Sequence, residues 1–223
     1  MTVRKIDNGA DWALWRSDVV ENNIEQMSAE LGRAYRLFTE TFTGCNSSLT
    51  NLDPFNDVSL RDLPNIFENI KKEDEEDKAF LNSNQNVSGY RFYNVFSLTT
   101  PSPLFWELFR EIKYIVEQQF DYDGPKWIQC WLNYHKQDEV LDWHNHGFPM
   151  HGYVSIRPHY TTTTFGDYEI KNEIGNIYIG PGYRDHKVIV NKEWKDDEPR
   201  LTLGYDIITN ADRPDNQFSA IPL

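Results

Sequence analysis

From Lys126 onward the chain is divided into short runs that read as strands, with Gly, Pro, Asn and Asp between them. The runs fall at about 126–134, 140–146, 151–157, 160–165, 168–171, 175–180, 185–190 and 200–208. Eight short strands with turn signals between them predict a double-sheet jelly roll or a small barrel, which hides strand edges that would otherwise seek partners. Thr161 to Thr164, four β-branched residues in a row, suits one of these strands. The chain has 7 Trp, 12 Tyr and 13 Phe, enough bulk to fill a core despite a mean hydropathy of −0.67.

The preceding residues have a different period. Val19, Val20, Ile24, Met27, Leu31, Ala34, Tyr35 and Phe38 recur every three or four residues and predict a helix over 18–43, stopped by Gly44. A short helix is expected at about 60–71, followed by a solvated charge run at 71–78. The aromatic stretch 89–96 suggests a strand. Ser102-Pro103 opens a helix through Gln119, because proline at a helix start gives up no hydrogen bond. The expected fold class is therefore mainly β with N-terminal helices (α+β). Residues 1–124 are mainly helical, 125–210 form the β core, and 211–223 are a loosely ordered tail. No Pro/Gly/Ser linker separates the parts, so a single domain with helices packed on one sheet is expected.

Charge and cysteine content narrow the function. Lys and Arg number 22 and are scattered, against 35 acidic residues, for a net charge of −13. Nucleic acid is therefore not an expected partner, since phosphate binding needs clustered cations. Cys45 and Cys130 have no ligand spacing and read as reduced thiols. The N-terminal residues lack an apolar signal segment, and no stretch approaches a membrane span. A cytoplasmic protein is expected, acting on a small molecule or a protein side chain and not at a membrane.

The chemistry is concentrated in the histidines. Six are present, and His144 and His146 are two apart on a predicted strand, which aims both side chains at one face. His186 can return to the same point if the chain folds back as a sheet. Imidazole is a common ligand for Fe, Ni, Cu and Zn. On the last strand, Leu201, Leu203 and Tyr205 share one face and Arg200, Thr202 and Gly204 the other. An inward arginine calls for an anion. Arg200 and Thr202 together suit a carboxylate. Tyr134 ends the preceding strand and reads as core filling.

Together, His144-x-His146, the distal His186 and Arg200-x-Thr202 resemble the iron(II)/2-oxoglutarate-dependent oxygenases, across Tyr134 to Ile208. The resemblance implies a double-stranded β-helix of the prolyl-hydroxylase-like type. It implies Fe(II) on His144, His146 and His186, and 2-oxoglutarate gripped by Arg200 and Thr202 with Tyr134 nearby. The implied reaction hydroxylates an unactivated C–H bond with release of succinate and CO2. His146 stands where that family carries a carboxylate. Three neutral ligands leave Fe(II) with one more positive charge, an arrangement known among three-histidine dioxygenases of the related cupin fold.

A second resemblance is to cupins proper. They carry His-x-His, an acidic residue four or five positions on, and a later Gly-rich Pro-Gly-His segment. Here Gly180-Pro181-Gly182 precedes His186, and His151 stands at the acidic position. That resemblance implies a three- or four-histidine metalloenzyme that does not use 2-oxoglutarate. Gly147 and Pro149 interrupt the segment before His151, so its face is not set by spacing. A jelly roll that only binds a partner, without catalysis, is the remaining alternative.

Overall fold

The computed structural model describes residues 3–42, 93–136, 140–195, 198–209 and 219–223, with the backbone alone over 36–42. Their strands are β1 (Val3–Asn8), β2 (Ala13–Ser17), β3 (Lys126–His135), β4 (Met150–Arg157), β5 (Thr161–Thr164), β6 (Glu169–Lys171), β7 (Asn176–Pro181), β8 (Lys187–Val190), β9 (Arg200–Thr209) and β10 (Ile221–Pro222). They form a seven-stranded sheet, β1-β2-β7-β4-β9-β3-β10, and a three-stranded sheet, β6-β5-β8. Every pairing is antiparallel. The chain crosses repeatedly between the sheets, and the order β3-β9-β4-β7 in the large sheet is that of a double-stranded β-helix. The expected jelly roll is present.

The helices are α1 (Asp18–Asn22), α2 (Ile24–Phe42), α3 (Val95–Leu98) and α4 (Pro103–Gln119). They cover the outer face of the large sheet. Successive strand residues alternate between faces. Leu201, Leu203, Tyr205 and Ile207 of β9 therefore join Ile128 and Leu132 of β3, Val154 and Ile156 of β4, and Ile177 and Ile179 of β7 on the helix side. Met27 and Leu31 of α2 and Leu108, Ile112 and Ile115 of α4 close over them. Each fully buried side chain of this kind contributes roughly 1.5–3 kcal/mol. Among the described residues, a smaller apolar cluster of Leu14, Tyr153, Phe165, Ile170 and Tyr178 lies on the other side. Because the helix side carries most of the apolar burial, the inner face is free to hold polar side chains.

Several expectations are corrected. The helix expected over 18–43 is broken at Asn23, whose side chain donates to the Val19 carbonyl at 2.8 Å and whose backbone N–H caps Val20. A side chain that bonds nearby backbone competes with helix continuation there. The strand expected at 89–96 gives way to α3 over its last residues. Asn94 caps that helix and ties it to the carbonyls of Ile128 and Ser219. Residues 89–92, the short helix at 60–71 and the charge run at 71–78 lie outside the described residues.

The N-terminal part is less helical than expected, because β1 and β2 extend the large sheet through β7. β2 is buried at four of its five residues and so lacks the alternation that reveals a strand. β1 is a mostly exposed, charged edge strand. Part of the supposedly loose tail, Ile221–Pro222, pairs with β3.

Candidate metal centre

The strand expected at 140–146 does not form, yet the two histidines it was to carry still converge. His144 makes an isolated bridge with His186, its N–H donating to the His186 carbonyl at 3.0 Å and its carbonyl accepting at 2.9 Å. His146 is pinned separately, its N–H donating to the Gly182 carbonyl at 2.8 Å. Gly182 permits that approach, since a Cβ there would collide with the Phe148 carbonyl oxygen. Gly147 and Pro149 interrupt the ladder, so cross-chain pinning replaces strand periodicity in aiming the rings.

Four histidines meet. His146 and His151 stack with ring centres 3.7 Å apart, His144 and His186 lie at 4.3 Å, and His151 and His186 at 4.9 Å. One ligand atom from each of His144, His146 and His186 lies within 4.8 Å of the others, and the same holds for His146, His151 and Asp206. As the first residue after Met150 on β4, His151 faces inward, opposite Asp206 of β9, and its ligand atom groups with those of His146 and Asp206. Trp131 stacks near His146 and His151, and Phe165 packs near His186, giving the cluster apolar walls.

Every Nδ1 in the cluster is occupied. His144 Nδ1 meets the Asp142 carbonyl at 2.7 Å, and His186 Nδ1 meets the Arg184 carbonyl at 3.1 Å. His146 directs Nδ1 at Asp206 Oδ2 at 3.3 Å, and His151 directs Nδ1 at Asp206 Oδ1 at 3.0 Å. A carbonyl or an ionised carboxylate only accepts, so each Nδ1 is the donor and each neutral ring keeps its lone pair on Nε2. The His146 Nε2 is buried and has no hydrogen-bond partner. Histidine metal ligands typically have the other ring nitrogen held by a carboxylate or carbonyl in this way.

The electrostatics favour the metal-ready forms. Burial, followed by the neighbouring His146, holds His151 down to about 4; burial and neighbouring His151 and His144 hold His186 down to about 2. Burial also lowers His144. Burial opposes ionisation of Asp206, but hydrogen bonds from His146 and His151 more than offset it and lower its value. Neutral His144, His151 and His186 rings beside an ionised Asp206 result.

Arg184 braces the rim. Its guanidinium pairs with Asp11 at 2.8 Å and Asp167 at 3.3 Å, while its carbonyl orients His186.

The other end of the same inner face is unlike this one. Arg200 is 3% exposed and forms no ion pair among the described residues. It stands opposite His135 in register, beside Thr202, Asn133 and Ser155. The Arg200 Nε, both His135 ring nitrogens and the Ser155 hydroxyl are buried without partners. The Asn133 amide donates to Thr202 Oγ1 at 3.3 Å. Burial holds Arg200 down to about 10, leaving it cationic at neutral pH, and burial with nearby Arg200 holds His135 down to about 3.

Of the residues singled out by sequence, the structure gathers His144, His146 and His186, and adds His151. Arg200 and Thr202 face the same interior. Tyr134 does not join them: it points to the helix side and stacks on Tyr35 at 4.6 Å. Asp206 and His135 were missed. Extending the Arg200, Thr202, Gly204 alternation by one step reaches Asp206, and the alternation of β3 through Trp131 and Asn133 reaches His135.

No family model matches the chain, and no curated protein matches it. Among solved structures, a cupin-2 domain containing protein from Shewanella frigidimarina NCIMB 400 aligns with a TM-score of 0.27 and 16% identity. The alignment covers 44% of this chain and 92% of the other. Among the described residues, no helix is long and apolar enough to cross a membrane.

Proposed function

We propose that the protein is a cupin-type metalloenzyme whose His144, His146, His151 and His186 hold one divalent first-row transition metal. The observation that carries this reading is the shared state of the four rings: each Nδ1 is committed to an acceptor, which leaves each Nε2 as a ligand atom. Four neutral nitrogens suit Fe, Ni, Cu or Zn better than Mg or Ca, which prefer oxygen. When bound, such an ion supplies Lewis acidity and, if iron, the redox chemistry that engages O2. The chain's own contribution is to orient the rings, keep them neutral and wall the site with Trp131 and Phe165.

Metal analysis of protein purified without oxygen and supplied with Fe(II), Ni(II) or Zn(II) tests this. One tightly held ion per chain is expected, with loss on replacing His144 or His186 by Ala and clear weakening in His151→Ala. Stoichiometric binding that survives every one of these replacements would overturn the assignment. Oxygen uptake by the Fe(II) form then separates a catalytic centre from a structural metal.

A second reading is favoured by Arg200, buried and without an ion pair among the described residues. Here the protein is an iron(II)/2-oxoglutarate oxygenase with His144, His146 and His186 as ligands, and Arg200 with Thr202 grips the far carboxylate. It ranks second because six residues of β9, roughly 20 Å along the strand, separate Arg200 from Asp206 beside the histidines. Succinate release with Fe(II) and 2-oxoglutarate, in wild type, His146→Asp and Arg200→Ala, decides it. Turnover that disappears in Arg200→Ala supports the reading, and no turnover in wild type or His146→Asp removes it. The prime substrate in either case is a small molecule or a protein side chain.

A further inference from the structure

We infer that Asp206 is a positioning residue of the metal centre: one carboxylate that holds His146 and His151 together in the Nδ1–H form and returns, one hydrogen bond from the metal, the negative charge that the histidine ligands lack. The inference rests on the metal-centre reading above.

Asp206 is 1% exposed and has no Lys or Arg partner among the described residues; its ion-pair contacts are His146 and His151. A buried anion without cations needs strong donors, and the two imidazole N–H groups provide them. The fold places all three groups independently. Asp206 and His151 face each other across β9 and β4, whereas His146 is fixed by its backbone bond to Gly182. The rings then lie nearly parallel, 10° apart, with His146 Nδ1 bonded to Oδ2 and His151 Nδ1 to Oδ1 of the same carboxylate. For Asp206 itself to be the ligand beside these rings, it would have to give up the donors that make its burial tolerable. In the outer position it fixes two tautomers at once and leaves both Nε2 lone pairs for the ion.

The arrangement also resolves the anomaly at His146. A site of neutral imidazoles alone would leave a divalent ion uncompensated by any ligand. A carboxylate shared by two of those imidazoles makes both rings more basic and offsets part of the charge without occupying a coordination position.

The asymmetry of an amide supplies the test. In Asp206→Asn, the side-chain oxygen still accepts from one ring, but the NH2 faces the other and calls for a lone pair on its Nδ1. That ring must then carry its proton on Nε2 and cannot ligate. Long-range 1H–15N correlation spectra of histidine-labelled protein report the tautomer of each ring directly. In metal-free wild type, both His146 and His151 are expected as Nδ1–H, and added Zn(II) is expected to move their Nε2 resonances. In Asp206→Asn, one ring should switch to Nε2–H, and Zn(II) affinity should fall about 10- to 100-fold.

Nε2–H tautomers in metal-free wild type, or Zn(II) shifts on Nδ1, would overturn the proposal; so would an Asp206→Asn variant with wild-type tautomers and affinity. If that variant fails to fold, the wild-type spectra alone still decide. Should the wild type bind no metal, the metal-centre reading fails, while the metal-free tautomers still test the role of Asp206.

Discussion

The two ends of the inner face of β9 are built from the same alternation and arrive at opposite states. At Asp206 every Nδ1 is paired: two on the one carboxylate and two on backbone carbonyls. At Arg200 the guanidinium Nε, the His135 ring and the Ser155 hydroxyl are buried without partners. The first end is preorganised, with its Nε2 lone pairs left for the ion proposed above. The second carries a cation with no ion pair among the described residues, a costly arrangement that an anion would relieve. Pairing and its absence along one strand thus mark two different kinds of unfinished chemistry.

The largest effect that would break this contrast is at the paired end. His186→Ala should lower Zn(II) affinity by well more than the roughly 10- to 100-fold expected for an outer-group change, measured by titration calorimetry. A small loss would mean that the ring cluster is packing and not a cradle.

Acid should next expose both ends together. His151 titrates near 4 and His135 near 3 in the fold, against 6.5 for an ordinary histidine. The unfolded chain therefore binds protons that the folded chain refuses. Stability is unaffected above about 6.5 and falls as pH drops toward those values, by about 1.4 kcal/mol per pH unit for each group. Urea unfolding of metal-free protein at pH 7 and pH 5 measures the fall; equal stability at both would show that the rings are not buried neutral.

Arg200→Met isolates the unpaired end. Removing a buried, unneutralised charge at similar volume should raise stability by about 1–4 kcal/mol in metal-free protein, with Zn(II) affinity unchanged. Destabilisation in the same urea assay would mean that Arg200 already has a structural partner.

Between the ends lies Gly204, where an added Cβ would come within 2.6 Å of the Trp131 ring. Gly204→Ala is expected to destabilise by about 1–3 kcal/mol and to shift Trp131, weakening metal binding through its contact with His146 and His151. The smallest effect is predicted for Trp143, which is exposed although it precedes His144. Trp143→Ala should change stability by less than about 0.5 kcal/mol and leave Zn(II) affinity as it was.

Much of this was legible in the chain. Apart from the run at 140–146, which forms no strand, the strands of the β core matched their runs because each is bounded by turn residues, and α4 was marked by its Ser-Pro start and one apolar face. β2 was not, since a strand buried on both faces has no period to read. Tyr134 could be placed on a strand, but which face pointed to the site depended on pairing with Leu201. His151 lay beyond a glycine and a proline, where alternation ceases to propagate.

By itself the sequence determined the jelly-roll class and brought forward His144, His146, His186, Arg200 and Thr202 as inward polar residues, because strand alternation is a local property. Only the tertiary structure decided that the His144 and His146 rings converge by bridges to His186 and Gly182 instead of by strand period, that His151 joins them, and that Asp206 holds two rings at once. Those outcomes depend on register between strands distant in the chain, which hydrogen-bond pairing and core packing settle together and which no local pattern encodes.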